Sequence, residues 1–146
     1  MNANTIIVEE LYQAPLEKVW HALTDKDQMK QWYFDIPDFR LQEGAVFNFY
    51  EPGGYNRFHH QCTIKEINLF KKFVHTWRYP EKSKGSTELT WQLFPEGDTT
   101  QLKLVHSGIE SFANDGPDFS RENFEAGWKE ILGNSLKKFV GGRGSE

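Results

Sequence analysis

The chain has 146 residues, of which 38% are apolar and 15% aromatic, a size and composition typical of one globular domain with an aromatic-rich core. Its net charge of −4 argues against nucleic acid and anionic membrane surfaces as partners. No apolar run approaches the ~20 residues of a membrane span, and Cys62 is the single cysteine, which excludes a disulfide framework and a cysteine metal cluster.

The first predicted elements are a strand and two short helices. Residues 5–12 alternate apolar and polar side chains, which predicts a half-buried strand. Pro15 suits the first helical position, and the apolar residues behind it are spaced i, i+3, i+4, i+7, which predicts a helix. Thr24 and Asp27 are spaced like a capping box, so a second short helix carrying Trp32 should follow.

The middle of the chain is predicted to form antiparallel strands. The segments with alternating or β-prone side chains are residues 46–50, 57–67, 71–79, 87–93 and 99–107. Turns are predicted at residues 51–54 and 95–98, where Pro and Gly occur together. In the third of these strands, His75 shares a face with Phe73, Trp77 and Tyr79. One face of this sheet is apolar and must be covered.

The last element is a predicted long helix. Phe119 precedes Ser120, a good N-cap, and Phe124 occupies the fourth helical position, as in a hydrophobic staple. An apolar stripe continues to Val140, and residues 141–146 are expected to be a flexible tail. Residues 1–140 should form a single α+β domain, in which a curved antiparallel sheet wraps around the C-terminal helix.

Residues 14–25, Ala-Pro-Leu-Glu-Lys-Val-Trp-His-Ala-Leu-Thr-Asp, resemble the A-P-x-E-x-V-W-x-A-L-T-D opening of the SRPBCC superfamily, which has the START-like or helix-grip fold. The resemblance is greatest to its AHSA1-like branch, related to the activator of the ninety-kilodalton heat-shock chaperone's ATPase. Further similarities follow in order at residues 31–33, 44–47, 76–77, 106–108 and 127–128. The resemblance implies a deep apolar cavity between sheet and closing helix, used by different members for lipids, polyketides or other hydrophobic ligands. It implies no shared catalytic set.

A cavity of this kind would lie between the last helix and the apolar sheet face. The residues predicted to contact a ligand there are Trp32, Phe49, His60, Trp77, Trp91, Leu104, His106, Phe124, Gly127 and Trp128. The tryptophans could equally be ordinary core residues. A glycine inside a helix costs about 1 kcal/mol relative to alanine. Gly127 therefore either leaves room for a ligand or allows close packing of the helix on a strand.

The histidines are the residues with most chemical potential. His59 and His60 are adjacent on a strand and point to opposite faces, so together they cannot chelate one metal ion. His60 and His106 both lie on predicted inward faces. Each is either a hydrogen-bonded buried histidine, a residue that orients a ligand, or an acid–base group.

Non-enzymatic binding of a small hydrophobic molecule is the leading functional hypothesis, with no catalytic residue, metal or cofactor expected. The alternative is a co-chaperone-like module that binds a heat-shock chaperone ATPase in a stress response, which rests on the family resemblance. A third hypothesis is a small cyclase or hydrolase that uses His60 or His106. We expect a cytoplasmic protein, since no signal peptide is recognisable, and either a monomer or a homodimer.

Overall fold

The computed structural model describes residues 5–50, 59–80, 83–112 and 119–140. Their elements are β1 (Thr5–Tyr12), α1 (Leu16–Thr24), α2 (Lys26–Trp32), β2 (Val46–Tyr50), β3 (His59–Asn68), β4 (Lys72–Arg78), β5 (Ser86–Glu96), β6 (Thr99–Ser107), a 3-10 turn (Ile109–Phe112), α3 (Arg121–Glu130), a π-helical turn (Ile131–Ser135) and α4 (Leu136–Val140). This order confirms the predicted α+β class, with two short helices after the first strand.

The six strands form one antiparallel sheet in the order β1-β6-β5-β4-β3-β2. The chain's first strand therefore pairs with its last, and β1 and β2 form the two edges. Alternation along β5 follows the prediction, because Leu89, Trp91 and Leu93 are buried while the intervening residues are more exposed. The inner face of the sheet carries most of the core, and the C-terminal helical segments cover it.

The two short helices differ from the prediction at their N-termini. Asp25, not Thr24, caps α2, because the Asp25 carboxylate accepts a hydrogen bond from the backbone N–H of Gln28. The Thr24 hydroxyl instead donates to the Trp20 carbonyl oxygen at 2.8 Å. Pro15 is the N-cap of α1, one residue earlier than predicted.

The C-terminal helix begins as predicted, since the Ser120 hydroxyl accepts a hydrogen bond from the N–H of Asn123. It is not a continuous α-helix, however, because the π-helical turn separates α3 from α4. Leu132, Leu136 and Val140 are all buried. Steps of four residues drift by about 40° in a regular α-helix, and a wider turn keeps such residues on one face.

Some predictions concern residues outside those that the structure describes. They are the turn at residues 51–54, the strand start at 57–58, the end of the loop at 113–118 and the tail at 141–146. Among the helices that are described, none is long and apolar enough to cross a membrane.

Candidate functional site

The inner faces of β4 and β5 carry a buried tryptophan–histidine pair. The Nε1–H of Trp91 donates to Nε2 of His75 at 3.1 Å. The Nδ1–H of His75 donates to the Thr76 carbonyl oxygen at 2.8 Å, so both ring nitrogens have partners. Burial lowers the pKa of His75 to about 4, although the hydrogen bond to Thr76 opposes this shift. The imidazole is therefore neutral near pH 7.

A second pair joins α3 to β6. The Nε1–H of Trp128 donates to Nδ1 of His106 at 3.0 Å, and Nε2 of His106 lies 2.7 Å from the Thr87 hydroxyl. That hydroxyl donates to the Trp77 carbonyl oxygen at 3.1 Å, so it accepts the hydrogen of His106 Nε2. Burial, followed by the charge of nearby His75, lowers the pKa of His106 to about 3.

We call His75, Trp91, His106 and Trp128 the tryptophan–histidine centre. Each imidazole in it uses both nitrogens within the protein, and each indole N–H has an acceptor. Of the alternatives for His106, the structure favours a hydrogen-bonded buried histidine, because neither nitrogen is left to accept or deliver a proton.

Tryptophan rings fill the space beneath α3 at this centre. The Trp128 ring centroid lies 5.3 Å from that of Trp77 and 5.8 Å from that of Trp91, both with edge-to-face geometry. Leu104 is buried directly opposite Trp91 in the β5–β6 register. The prediction of a cavity at this position, between the helix and Trp77, Trp91 and Leu104, is therefore wrong for these residues, because their side chains meet that of Trp128.

Gly127 does not face the sheet. It lies on the exposed side of α3, and a Cβ added to it would meet no atom within 4 Å. Phe124 and Trp128 are the buried residues of this helix. The prediction that Gly127 contacts a ligand or allows close packing is wrong, because the helix phase set by these two aromatic residues turns Gly127 towards solvent.

Phe124 links the centre to the aromatic residues at the start of α3. Its ring centroid lies 5.2 Å from that of His106 and 5.6 Å from that of Phe112. Phe119 also packs on Phe112, at 5.6 Å. The side chain of Phe124 is therefore a core contact between helix and sheet.

A separate column of rings occupies the β2 side of the inner face. Phe49 stacks on His60 with a centroid distance of 4.5 Å and an interplanar angle of 4°. Phe34, which follows α2, stacks on the other partner side of the column at 4.6 Å from Phe49. Trp77 and Tyr79 contact His60 at 4.9 and 4.8 Å. Phe49 and His60 are thus brought together as predicted, while Phe34 was not foreseen.

Tyr33 places a hydroxyl group in this aromatic environment. Its ring centroid lies 6.1 Å from those of Phe49 and Trp91. The hydroxyl oxygen is buried and has no hydrogen-bond partner among the described residues. Burial, followed by nearby Cys62 and Tyr79, raises the pKa of Tyr33 well above its usual value, so the hydroxyl keeps its hydrogen and remains a donor.

Trp32 positions Tyr33 rather than lining an open space. Its Nε1–H donates to the Ala22 carbonyl oxygen at 2.8 Å, which ties the end of α2 to α1. The ring stacks on that of Tyr33 at 4.9 Å. The sequence signal for this arrangement is the run of three aromatic residues 32–34, of which only the first was considered as a site residue.

A groove with a volume of about 560 Å³ opens beside the edge strand β2. The residues that line it are Asp35, Pro37, Asp38, Asn48, Phe49 and Tyr50. Phe49 is common to the groove and to the ring column. We call Tyr33, Phe34, Phe49 and His60, together with this lining, the groove end.

Asp38 fastens the groove's outer wall to β2. One carboxylate oxygen accepts from the backbone N–H of Asn48 at 3.0 Å, and the other accepts from the Asn48 side-chain amide at 2.9 Å. His59 lies on the outer face and contacts the Asn48 side-chain oxygen at 2.8 Å. The prediction that His59 and His60 point to opposite faces is confirmed, since His60 is buried on the inner face.

A family comparison adds to this geometry. Residues 13–141 match the model of the family described as "Activator of Hsp90 ATPase homolog 1-like protein" (AHSA1). The chain belongs to this AHSA1-like family. The predicted place in the AHSA1-like branch of the SRPBCC superfamily is thereby confirmed.

Solved structures share the AHSA1-like fold. CalU16 from Micromonospora echinospora is 26% identical, with a TM-score of 0.72 over 92% of this chain and 74% of CalU16. MLL2253 from Mesorhizobium loti is 25% identical, with a TM-score of 0.74 over 92% of this chain and 95% of that protein. DynU16, from the dynemicin biosynthetic locus, is 18% identical, with a TM-score of 0.77 over 94% of this chain. The chain spans 47% of the DynU16 chain.

None of the curated proteins compared with the chain matches it significantly. The AHSA1-like fold is of a type that typically binds hydrophobic ligands. The fold assignment therefore confirms the predicted helix-grip architecture, and the identity of any ligand depends on the site itself.

Proposed function

We propose that this AHSA1-like protein binds a small hydrophobic molecule, without catalysis, at the groove end. The observation that carries the proposal is the double role of Phe49. Its ring lines the surface groove and also stacks within the buried ring column, at 4.5 Å from His60. A molecule in the groove would therefore contact the aromatic interior through this ring.

The dimensions and lining of the groove support a small-molecule ligand. Its volume of about 560 Å³ lies within the roughly 300–1,000 Å³ that is usual for ligand pockets. Pro37, Phe49 and Tyr50 supply apolar and aromatic surface, and Asn48 and the two aspartates supply polar groups. This combination of apolar walls and a few polar groups is typical of small-molecule sites.

A binding role without catalysis fits the buried histidines. His75 and His106 are neutral and engage both nitrogens in hydrogen bonds within the fold. An acid–base residue must reach the proton that it transfers, and neither imidazole has a free nitrogen for this purpose.

Binding can be tested with N-phenyl-1-naphthylamine, an uncharged probe whose fluorescence rises in apolar surroundings. We expect saturable binding to the wild-type protein and about tenfold weaker binding to Tyr50→Ala, which removes one wall of the groove. Phe94→Ala is the matched control, because Phe94 is similarly exposed but lies on β5, at 45% against 50% for Tyr50. Equal losses in both variants, or no saturable binding, would contradict the proposal.

A second candidate function is binding to a heat-shock chaperone. The observation that favours it is an apolar patch on the outer sheet face, where Ile7, Leu11 and Phe94 are exposed on β1 and β5. Gln101 of β6 separates Leu11 from Phe94 in the strand register. We expect Leu11→Ser with Phe94→Ser to abolish any effect on the ATPase rate of a purified Hsp90 chaperone. An unaltered ATPase rate with excess wild-type protein would reject this candidate.

A further inference from the structure

The buried hydroxyl of Tyr33 is the unassigned polar group of the interior. Among the described residues its oxygen has no hydrogen-bond partner, while the indole N–H groups of Trp32, Trp77, Trp91 and Trp128 all have one. A buried polar group without a partner carries a desolvation cost, so its retention calls for a physical explanation. A ligand atom that accepts a hydrogen bond would remove this cost.

The interior around Tyr33 offers no charge to a ligand. The buried polar side chains of the described residues are Thr24, His60, His75, Ser83, Thr87, Thr100 and His106, with no Lys, Arg, Asp or Glu among them. His75 and His106 are held neutral by burial, which lowers the pKa of each well below 6.5. The partly buried Arg121 contacts Glu125 and the Thr5 carbonyl oxygen on β1, the opposite edge of the sheet from the groove.

The mouth of the groove carries negative charge. Asp35 and Asp38 are exposed and line it, and no Lys or Arg belongs to the lining. A carboxylate or phosphate entering here would be repelled at the mouth and would then lose its hydration without a counter-charge inside. Burial of an unpaired ion is strongly unfavourable.

We infer that the ligand is an uncharged, flat hydrophobic molecule with an exposed carbonyl or ether oxygen, and that Tyr33 determines this specificity by donating a hydrogen bond to that oxygen. The flat shape follows from the neighbouring rings, since Phe34 and Phe49 are stacked 4.6 Å apart and Trp91 meets Tyr33 edge-on. The inference rests on the proposed function and adds the chemical class of the ligand.

Three naphthalene probes of similar size separate the possibilities. Methyl 2-naphthoate carries a neutral carbonyl, 2-ethylnaphthalene has no acceptor, and 2-naphthoic acid is an anion at pH 7. Calorimetric titration of the wild-type protein should show the ester binding about fivefold to tenfold more tightly than the hydrocarbon, as expected for one neutral hydrogen bond. The acid should bind most weakly.

Tyr33→Phe is the decisive variant, because it keeps the ring and removes only the hydroxyl. It should lower the affinity for the ester to that for the hydrocarbon and leave the hydrocarbon's affinity unchanged. Asp35→Asn should strengthen binding of the acid a few-fold without affecting the ester, since it removes one charge at the mouth. Circular dichroism would verify that both variants are folded.

The outcomes distinguish the inference from the proposed function. If all three probes bind equally and Tyr33→Phe changes none of them, the groove binds hydrophobic molecules but the assigned ligand class is wrong. If the acid binds most tightly, the inference is overturned as well. If no probe binds, both the inference and the proposed function fail.

Discussion

The tryptophan–histidine centre and the groove end are built from the same kinds of residue but differ in how their polar atoms are used. In the centre, the indole N–H groups of Trp91 and Trp128 reach histidine nitrogens at 3.1 and 3.0 Å. At the groove end, the Tyr33 hydroxyl is buried without a partner among the described residues. The first region is complete by itself, while the second has a donor available to another molecule.

This difference separates a structural role from a binding role where composition does not. Aromatic side chains with polar tips are common both in cores and in ligand sites. The deciding observation is whether each tip already has a partner within the protein. By that criterion His106 and Trp128 belong to the core, and Tyr33 belongs to the site.

The largest expected effect concerns acid and the centre. His75 and His106 have folded-state pKa values of about 4 and about 3, below the ordinary 6.5. Below pH 6.5 the unfolded chain therefore binds more protons than the native protein, and stability falls as the pH falls. Each histidine should lower the free energy of unfolding by about 2 kcal/mol between about pH 7.5 and about pH 5. Urea denaturation at a series of pH values measures this loss.

The exposed His21 provides the control for the acid effect. A His21→Gln variant should lose stability with falling pH to the same extent as the wild-type protein, because His21 lies on the exposed surface of α1. A free energy of unfolding that stays constant from about pH 7.5 to about pH 5 would show that the two imidazoles are not held neutral in the way described.

Removing one polar atom from each region should change stability in opposite directions. Trp91→Phe leaves the buried Nε2 of His75 without its donor and should lower the free energy of unfolding by about 2 kcal/mol. Tyr33→Phe removes a hydroxyl that has no partner and should raise it by up to about 1 kcal/mol. Thermal and urea unfolding of both variants at pH 7 would measure the pair.

The sign of the Tyr33→Phe effect is the informative result. A loss of stability comparable to that of Trp91→Phe would mean that the Tyr33 hydroxyl makes a stabilising bond in the native protein, and the contrast between the two regions would disappear.

The smallest effect is expected on the solvent side of the helix that covers the centre. Gly127→Ala should raise the free energy of unfolding by about 1 kcal/mol, because alanine is favoured over glycine inside a helix and the added Cβ meets no atom within 4 Å. Binding of the naphthylamine probe should be unchanged. Weaker probe binding in this variant would restore Gly127 as a ligand-contacting residue.

The sequence was sufficient to predict the fold because its signals are local and periodic. Alternation in β5 and the Ser120 cap identify their elements without any tertiary information. The error at Thr24 arose because Asp25, its neighbour, is an equally good cap. The π-helical turn was not predictable from the apolar stripe, because the Tyr12 hydroxyl that bonds the Leu132 carbonyl at 2.7 Å comes from the distant β1.

The candidate site was predicted less well because it depends on contacts between distant segments. Alternation placed His60 and Phe49 inward correctly, but the helix phase that exposes Gly127 was misjudged. Tyr33 was missed because it follows the end of α2, where no periodic pattern states which way a side chain points. The pairing of Trp91 with His75 likewise requires the register between β4 and β5, which the sequence does not specify.

The carboxylate of Asp38 has a consequence for self-association. An edge strand with free backbone groups can template the addition of another chain, which leads to aggregation. Because Asp38 already occupies the N–H of Asn48 on β2, an incoming strand would have to displace a charge-assisted hydrogen bond and accept a negative charge beside its own carbonyl oxygens. The same residue that forms the groove's wall thus blocks strand addition at this edge and keeps the opening free for a smaller guest.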